Sequence, residues 1–327
     1  MKGKIDIRVY NNRSSFNFTL ERNITIVRGN SGTGKTTLYD MIAEYMRLGK
    51  GSGVQLAAPC PCVALTDMDW QNQLNHTHGS AVFIDEGADY LASKEFAAVI
   101  QKTDNYYVIF NRENLHELPY SVEEIYEIKM SGKYHVFQKV YKAHNGYVYS
   151  EADNRKKAQA NVLLTEDTHA GFQFYQHLYD GTTIRCESAG SNSSIFAWLQ
   201  AHYQQGVFVI ADGAAFGSEI DRVMKLQKQH PADITVCLPE SFEWLILQSG
   251  IVPIDGVQEM LNDPSQQIES AEYFSWERFF SSYLIQHSQG TYYVYSKSKL
   301  HSFYSIQENA NRIVAVIAQN MPEKKTS

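Results

Sequence analysis

Apolar and polar residues alternate in two runs near the start of the chain, KIDIRVY (4–10) and SFNFTL (15–20), and the polar stretch between them predicts a hairpin. NITIVRG (23–29) follows without alternation, the pattern of a strand covered on both faces. GKTTLYDMIAEYMRLGK (34–50) then carries helical spacing until Gly51 and Gly53 stop it. Three more apolar runs come next, CVALTDM (62–68), SAVFIDE (80–86) and NYYVIFN (105–111), with helical pattern between the later two, and EEIYEIKM (123–130) closes the series. Strands spaced by helical segments predict a parallel sheet with both faces covered.

YKAHNGYVYSEADNRKKAQA (141–160) is polar, charged and poor in aliphatic residues, so a linker is expected over 143–160, between domains at 1–142 and 161–327. Beyond it the alternation resumes: ANVLLTED, HAGFQFYQHLYD, TTIRCESAG, NSSIFAWLQAHYQ, GVFVIADG, SEIDRVMKLQKQH, DITVCLP and SFEWLILQSG give strand and helix in turn, four times over. From Ser275 onward, WERFFSSYLIQHS and SIQENANRIVAVIAQN predict helices packed against this second domain. The expected fold class is α/β, in two domains.

Composition sharpens this picture. A chain of 327 residues, 43% hydrophobic and 20% charged, suits two globular domains that each bury a core. No run approaches the roughly 20 apolar residues of a membrane helix, and the opening lacks a signal peptide's apolar core. A cytoplasmic protein without a membrane partner is therefore expected, and Cys60, Cys62, Cys186 and Cys237 read as reduced thiols. Cys60-Pro61-Cys62 has no second Cys or His pair at finger spacing and reads as buried thiols in preference to zinc ligands. A formal charge of −7 argues against coating nucleic acid over the whole surface, though not against a local basic groove.

The most specific chemistry lies at Gly29-Asn30-Ser31-Gly32-Thr33-Gly34-Lys35-Thr36, followed by Thr37, which fits G-x-x-x-x-G-K-[ST] between a strand and a helix. The glycines let successive N–H groups point into the loop, and the helix beginning near Lys35 adds its positive end, which makes an anion nest. Lys35 is expected to reach the β and γ phosphates of a nucleotide, and Thr36 to ligate Mg²⁺. Such a site needs a carboxylate at a neighbouring strand end, and AVFIDEGADYL supplies Asp85 for the metal and Glu86 to orient or deprotonate the attacking water. The next strand ends in FNREN, whose Asn111 or Arg112 is expected to face the γ-phosphate; Asp67 and Asp69 after CVALT are weaker candidates. No guanine-reading NKxD occurs, which favours ATP.

Over residues 1 to about 130 these motifs resemble the front of ABC-type and related chromosome-maintenance ATPases, where a short strand pair precedes the phosphate loop. The resemblance implies an ATP- and Mg²⁺-dependent P-loop domain. No LSGGQ-like signature lies between the two motifs, so an ABC sandwich dimer is not implied, while completion of the site by a neighbouring subunit's arginine stays open.

In the second half, NVLLTEDTHAGFQFYQHL puts Glu166 and Asp167 at a strand end, and GVFVIADGAAFGSEIDRV repeats the arrangement with Asp212. Carboxylates at the carboxyl ends of strands in an open α/β sheet converge on one crevice, where they can hold a divalent metal. From about 160 to 245 the order of pieces resembles the TOPRIM domain of topoisomerases, primases and OLD-family nucleases, in which a strand-end Glu and a later Asp-x-Asp hold the metal for phosphodiester chemistry. The resemblance implies that Glu166 and Asp212 are metal-binding and catalytic, with DNA or RNA as partner. Ala214 stands where the family has its second Asp, so Asp167, Glu219 or Asp221 would have to substitute. YSKSKLHSFY (295–304) offers Lys297 or Lys299 to grip a scissile phosphate, with His301 nearby. Two functions follow: an ATPase governing a metal-dependent nuclease or nucleic-acid-binding domain, as in OLD-type proteins used against phage, or an ATP-dependent oligomeric switch whose inactive TOPRIM-like domain binds a protein.

Overall fold

The computed structural model describes residues 1–142, 148–149, 160–317 and 321–323, so most of the expected linker at 143–160 lies outside the described residues. The chain divides into two compact units, one of residues 1–141 with Asp263–Ser275, the other of residues 142–262 and 276–327.

Unit 1 contains β1 (Ile5–Tyr10), β2 (Ser15–Leu20), β3 (Ile24–Arg28), α1 (Lys35–Leu48), β4 (Gln55–Ala57), β5 (Cys62–Leu65), α2 (Trp70–Asn75), β6 (Ala81–Ile84), α3 (Lys94–Ile100), β7 (Tyr106–Phe110), β8 (Ile125–Ser131) and β9 (Tyr134–Lys139). They form one nine-stranded sheet in the order β4-β1-β2-β9-β8-β3-β7-β6-β5. From β5 to β8 every pairing is parallel, but β1 runs antiparallel to β2 and β4, and β8 to β9. The sheet is therefore mixed and not wholly parallel as expected. Its second hairpin, β8–β9, follows from a two-residue connection: Ser131 pairs with Tyr134 across Gly132, whose φ of 59° is the left-handed conformation such tight turns require. Alternation in β1 buries Ile5, Ile7 and Val9 on one face, where they meet Phe16, Phe18, Phe83, Val108 and the inner face of α1 (Leu38, Met41, Ile42). Each such side chain contributes roughly 1.5–3 kcal/mol on burial, which fixes α1 and the loop before it against the sheet.

Residues 263–275, which the pattern assigned to the second domain, complete unit 1 instead. Asn23 Nδ2 donates to the carbonyls of Ser270 (3.1 Å) and Tyr273 (3.3 Å), and Gly3 N to that of Ser265 (2.7 Å). The segment is short and aperiodic, so nothing in its pattern says which core it joins.

Unit 2 contains β10 (Val148–Tyr149), β11 (Val162–Thr165), α4 (Ala170–Leu178), β12 (Arg185–Ser188), α5 (Asn192–His202), β13 (Val207–Ile210), α6 (Ile220–Gln229), β14 (Ile234–Cys237), α7 (Phe242–Gln248), α8 (Val257–Asn262), α9 (Trp276–Ser288), α10 (Ser302–Ser305) and α11 (Gln307–Ala315). The sheet order is β10-β14-β13-β11-β12, parallel from β11 to β14, with β10 antiparallel at one edge. The central strands β11 and β13 are fully buried, as four-residue apolar runs in a two-faced sheet must be. No helix among the described residues is long and apolar enough to cross a membrane.

Candidate functional site

At the carboxyl edge of the unit 1 sheet, β3 opens into the glycine-rich loop. Gly29, Gly32 and Gly34 have φ of 134°, 80° and 98°, conformations that side-chain-bearing residues rarely adopt. A Cβ at Gly34 would also come within 3.1 Å of the His135 ring, which stacks on Phe16 (centroids 4.3 Å apart). Inside the loop Thr33 Oγ1 donates to the Asn30 carbonyl (3.0 Å). α1 starts at Lys35, as expected, with no side-chain cap on its first N–H groups. An uncapped helix start beside three left-handed glycines can receive an anion.

Lys35 is only 4% exposed, and its ammonium donates to the carbonyls of Gly29 and Asn30 (the latter at 3.2 Å) while lying 3.5 Å from Glu86 Oε2. Arg112 Nε meets the other oxygen of Glu86 at 2.5 Å, and Arg112 Nη2 donates to Ser31 Oγ at 3.0 Å. The predicted residues Ser31, Lys35, Glu86 and Arg112 are thus drawn into one network. Sheet order explains the reach of Arg112. The strand carrying Asp85 and Glu86 is not adjacent to β3; β7 lies between them. Arg112, just past the end of β7, can touch the loop on one side and Glu86 on the other. Of the two candidates here, Asn111 is spent on its own turn, its Oδ1 accepting from the N–H groups of Arg112 (2.9 Å) and Glu113 (3.4 Å).

Asp85 Oδ1 is shielded from solvent and has no hydrogen-bond partner, and burial, then the charges of Asp40, Glu86 and Asp67, raises its carboxyl above the ordinary range. A shielded acceptor oxygen without a donor suits a cation. Thr36 and Thr37 are exposed at the start of α1. No group of three or more His, Cys, Asp or Glu among the described residues is arranged to hold a metal. A magnesium ion held by one hydroxyl, one carboxylate and phosphate oxygens needs no such group. Asp69 accepts from Asn72 Nδ2 at the start of α2. Cys60 and Cys62 are both free thiols.

In unit 2, Glu166, Asp167 and Asp212 follow β11 and β13 directly and line one cleft with Thr165, Glu243, Tyr295 and Lys297. Burial, then the charges of Glu277 and Asp167, pushes the Glu166 carboxyl up to about 8. Asp212 is raised further above the carboxylate range, by burial and then by Glu166, Glu277 and Glu243. Burial alone would lower Lys297, but Glu277, Glu243 and Asp212 outweigh it and hold the ammonium charged; Nζ donates to Glu277 Oε1 at 2.5 Å. Glu243 is 1% exposed, takes the Tyr295 hydroxyl on Oε1 (2.8 Å) and has no partner on Oε2; Glu166 Oε2 is likewise shielded and unpartnered. Shielded acceptors without donors in this cleft suit a cation.

Of the three substitutes proposed for the missing acid, Asp167 alone lines the cleft. Glu219 is buried against Arg222 at the start of α6, and neither it nor Asp221 lines the cleft. Asp167 does line it but accepts from His169 N (2.9 Å), with His169 Nδ1 at 2.6 Å. Ala214 is buried in a turn that pairs with the strand exit after β14: Gly213 N donates to Pro239 O (2.6 Å) and Ala214 N to Glu240 O (3.2 Å). A Cβ at Gly213 would stand 2.6 Å from Leu238 O, so only glycine permits this approach. Of the basic candidates, Lys297 enters the cleft, Lys299 is exposed away from it and His301 caps α10 by accepting from Phe303 N (3.3 Å). Sequence reading missed Glu243 and Glu277. Both lie in the first turn of a helix, α7 and α9, where an acid is ordinarily explained by the helix dipole.

Searches of protein-family models, of curated proteins and of solved structures with this chain returned no match.

Proposed function

We propose that the chain is an ATP-binding P-loop ATPase joined to a TOPRIM-like unit that takes a divalent metal for phosphodiester binding or cleavage. The observation that carries the first half is the convergence of Lys35, Ser31, Glu86 and Arg112 around a loop of left-handed glycines at a helix start. In this reading the loop N–H groups and Lys35 bind the β and γ phosphates, and Thr36 with Asp85 holds Mg²⁺, which would neutralise charge developing on the phosphates. Glu86 accepts a proton from the attacking water. Lys35→Ala is expected to weaken binding of labelled ATP at least ~100-fold. ATP binding that survives this substitution removes the reading.

For unit 2, Glu166 and Asp212 are the acids that would meet a divalent ion, its remaining ligands coming from water or substrate oxygens, and Lys297, which pairs with Glu277, is the cation that would meet a phosphate. Manganese-dependent nicking of plasmid DNA, abolished by Glu166→Ala or Asp212→Ala and responsive to ATP, is the expected result. Ala214 and the internal Lys297–Glu277 pair favour a second reading, in which the unit is an inactive protein-binding module and ATP controls assembly. No nicking, together with a mass change by light scattering on adding ATP and Mg²⁺, would select that reading.

A further inference from the structure

We infer that Arg112 is a positioning residue that exchanges Glu86 for the terminal phosphate of a nucleoside triphosphate, so that the general base is released only when a γ-phosphate is present. This rests on the P-loop reading of unit 1.

Five contacts carry it. Glu86 has both oxygens held by cations, Oε1 by Arg112 Nε at 2.5 Å and Oε2 by Lys35 Nζ at 3.5 Å. Each Glu86 oxygen thus faces a cation, which narrows the directions from which a water could approach it. Arg112 uses a second nitrogen on Ser31 Oγ at 3.0 Å, inside the glycine-rich loop. Lys35, whose other partners are two loop carbonyls, occupies the ground where phosphate oxygens must come. Two cations thus share one carboxylate beside the loop.

The planar guanidinium can change partners without changing strands, because β7 stands between the loop strand and the Glu86 strand. Arg112 is 49% exposed and Glu86 30%, so their contact is a solvent-screened pair and costs little to open. A γ-phosphate brings more negative charge than one carboxylate and three acceptor oxygens, and charge-assisted bonds from Arg112 and Lys35 to it outweigh those to Glu86. A diphosphate ends one phosphate short: it meets Lys35 through its β-phosphate but leaves the Arg112–Glu86 contact in place. The device therefore distinguishes triphosphate from diphosphate and ties the release of the base to the presence of the group to be hydrolysed.

The test is a double-mutant cycle on ATP and ADP affinity, each with Mg²⁺, measured by titration calorimetry on the full chain for wild type, Arg112→Ala, Glu86→Gln and the double variant. Arg112→Ala is expected to cut the preference for ATP over ADP about tenfold while ADP affinity stays within about twofold, which also shows that the variant is folded. Glu86→Gln is expected to raise ATP affinity about tenfold when Arg112 is present and less than about twofold when it is absent. Steady-state turnover of Arg112→Ala is expected to fall about 100-fold, more than its KM rises, and Arg112→Lys to recover only part of it, since a point charge cannot hold Ser31 and Glu86 together. Additive effects of the two substitutions, or equal weakening of ATP and ADP, overturn the exchange while leaving the P-loop reading intact. Failure of the wild-type chain to bind either nucleotide overturns both.

Discussion

The two units place their most perturbed acids at opposite ends of their sheets. In unit 1, Glu124 is completely buried just before β8, at the amino end of the parallel strands. It accepts the Thr25 hydroxyl at 3.0 Å and faces Arg22 at 3.8 Å. The carboxyl edge of the same sheet holds the partly exposed Glu86 between two cations, the half-exposed Arg112 and the buried Lys35. In unit 2 the order is reversed: Glu166 and Asp212, both raised by burial and by the charge of Glu277, stand at the carboxyl edge itself, where Lys297 partly offsets them. Helix starts and loops crowd the carboxyl edge of such sheets, so that is where a ligand can relieve an electrostatic excess. An acid buried at the amino end has to be satisfied by the protein. Glu124 is accordingly satisfied within the fold, while the unit 2 acids stand where a ligand could reach them.

The largest expected effect tests the structural side of this contrast. Burial, only partly countered by Arg22, raises the Glu124 carboxyl from its ordinary 4.5 to about 7. The folded state then keeps a proton that the unfolded chain releases, so this contribution to stability is complete below pH 4.5 and is lost as pH rises to about 7. The loss is about 3 kcal/mol across that window. Hydrogen exchange of β3 and β8 amides should therefore show weaker protection at pH 8 than at pH 5, and Glu124→Gln should remove most of the difference. An unchanged pH dependence in the variant would break the assignment.

A smaller effect tests unit 2. Where acids repel one another in a closed cleft without metal, removing one charge should stabilise the fold. Glu166→Gln and Asp212→Asn are each expected to gain about 1–2 kcal/mol in chelator and to lose that gain when Mn²⁺ is added, because only the wild type is stabilised by the ion. Thermal melting with and without Mn²⁺ gives the answer. Destabilisation in chelator would mean that the carboxylates are already satisfied as they stand.

The comparison also explains what could be read in advance. The loop at 29–36 was legible because its glycines, lysine and threonine are each required by local backbone geometry and phosphate chemistry, and α1 does begin at Lys35. The alternation of strand and helix from Val162 to Gln248 was legible because β11, β13 and β14 are short, largely apolar runs bounded by polar turns, whereas β12, RCES, is marked only by its place between helices. β9 was not, since its exposed residues include Tyr134 and Val136 and only the turn at Gly132 marks it. The position of β7 between β3 and β6 was also hidden: strand order depends on non-local pairing, which periodicity does not encode. For the same reason Glu243 and Glu277, far apart in sequence, give no signal of their approach to Glu166 and Asp212.

The smallest effect is the most discriminating, because it should have the opposite sign to the one in unit 2. Glu86→Gln removes a charge that two cations share, so it leaves Arg112 with Ser31 and the buried Lys35 with two carbonyls. Exposed pairs contribute only about 0–1 kcal/mol, and the expected loss of stability stays under ~1 kcal/mol. The screened part of that loss should shrink in about 0.5 M salt, whereas the gain from Glu166→Gln, arising in a closed cleft, should persist there. Melting the two variants side by side at low and high salt reads both signs in one experiment. If Glu86→Gln stabilises unit 1 as Glu166→Gln stabilises unit 2, the two carboxyl edges are electrostatically alike, and the neutralised network around Lys35 is not what holds Glu86 in place.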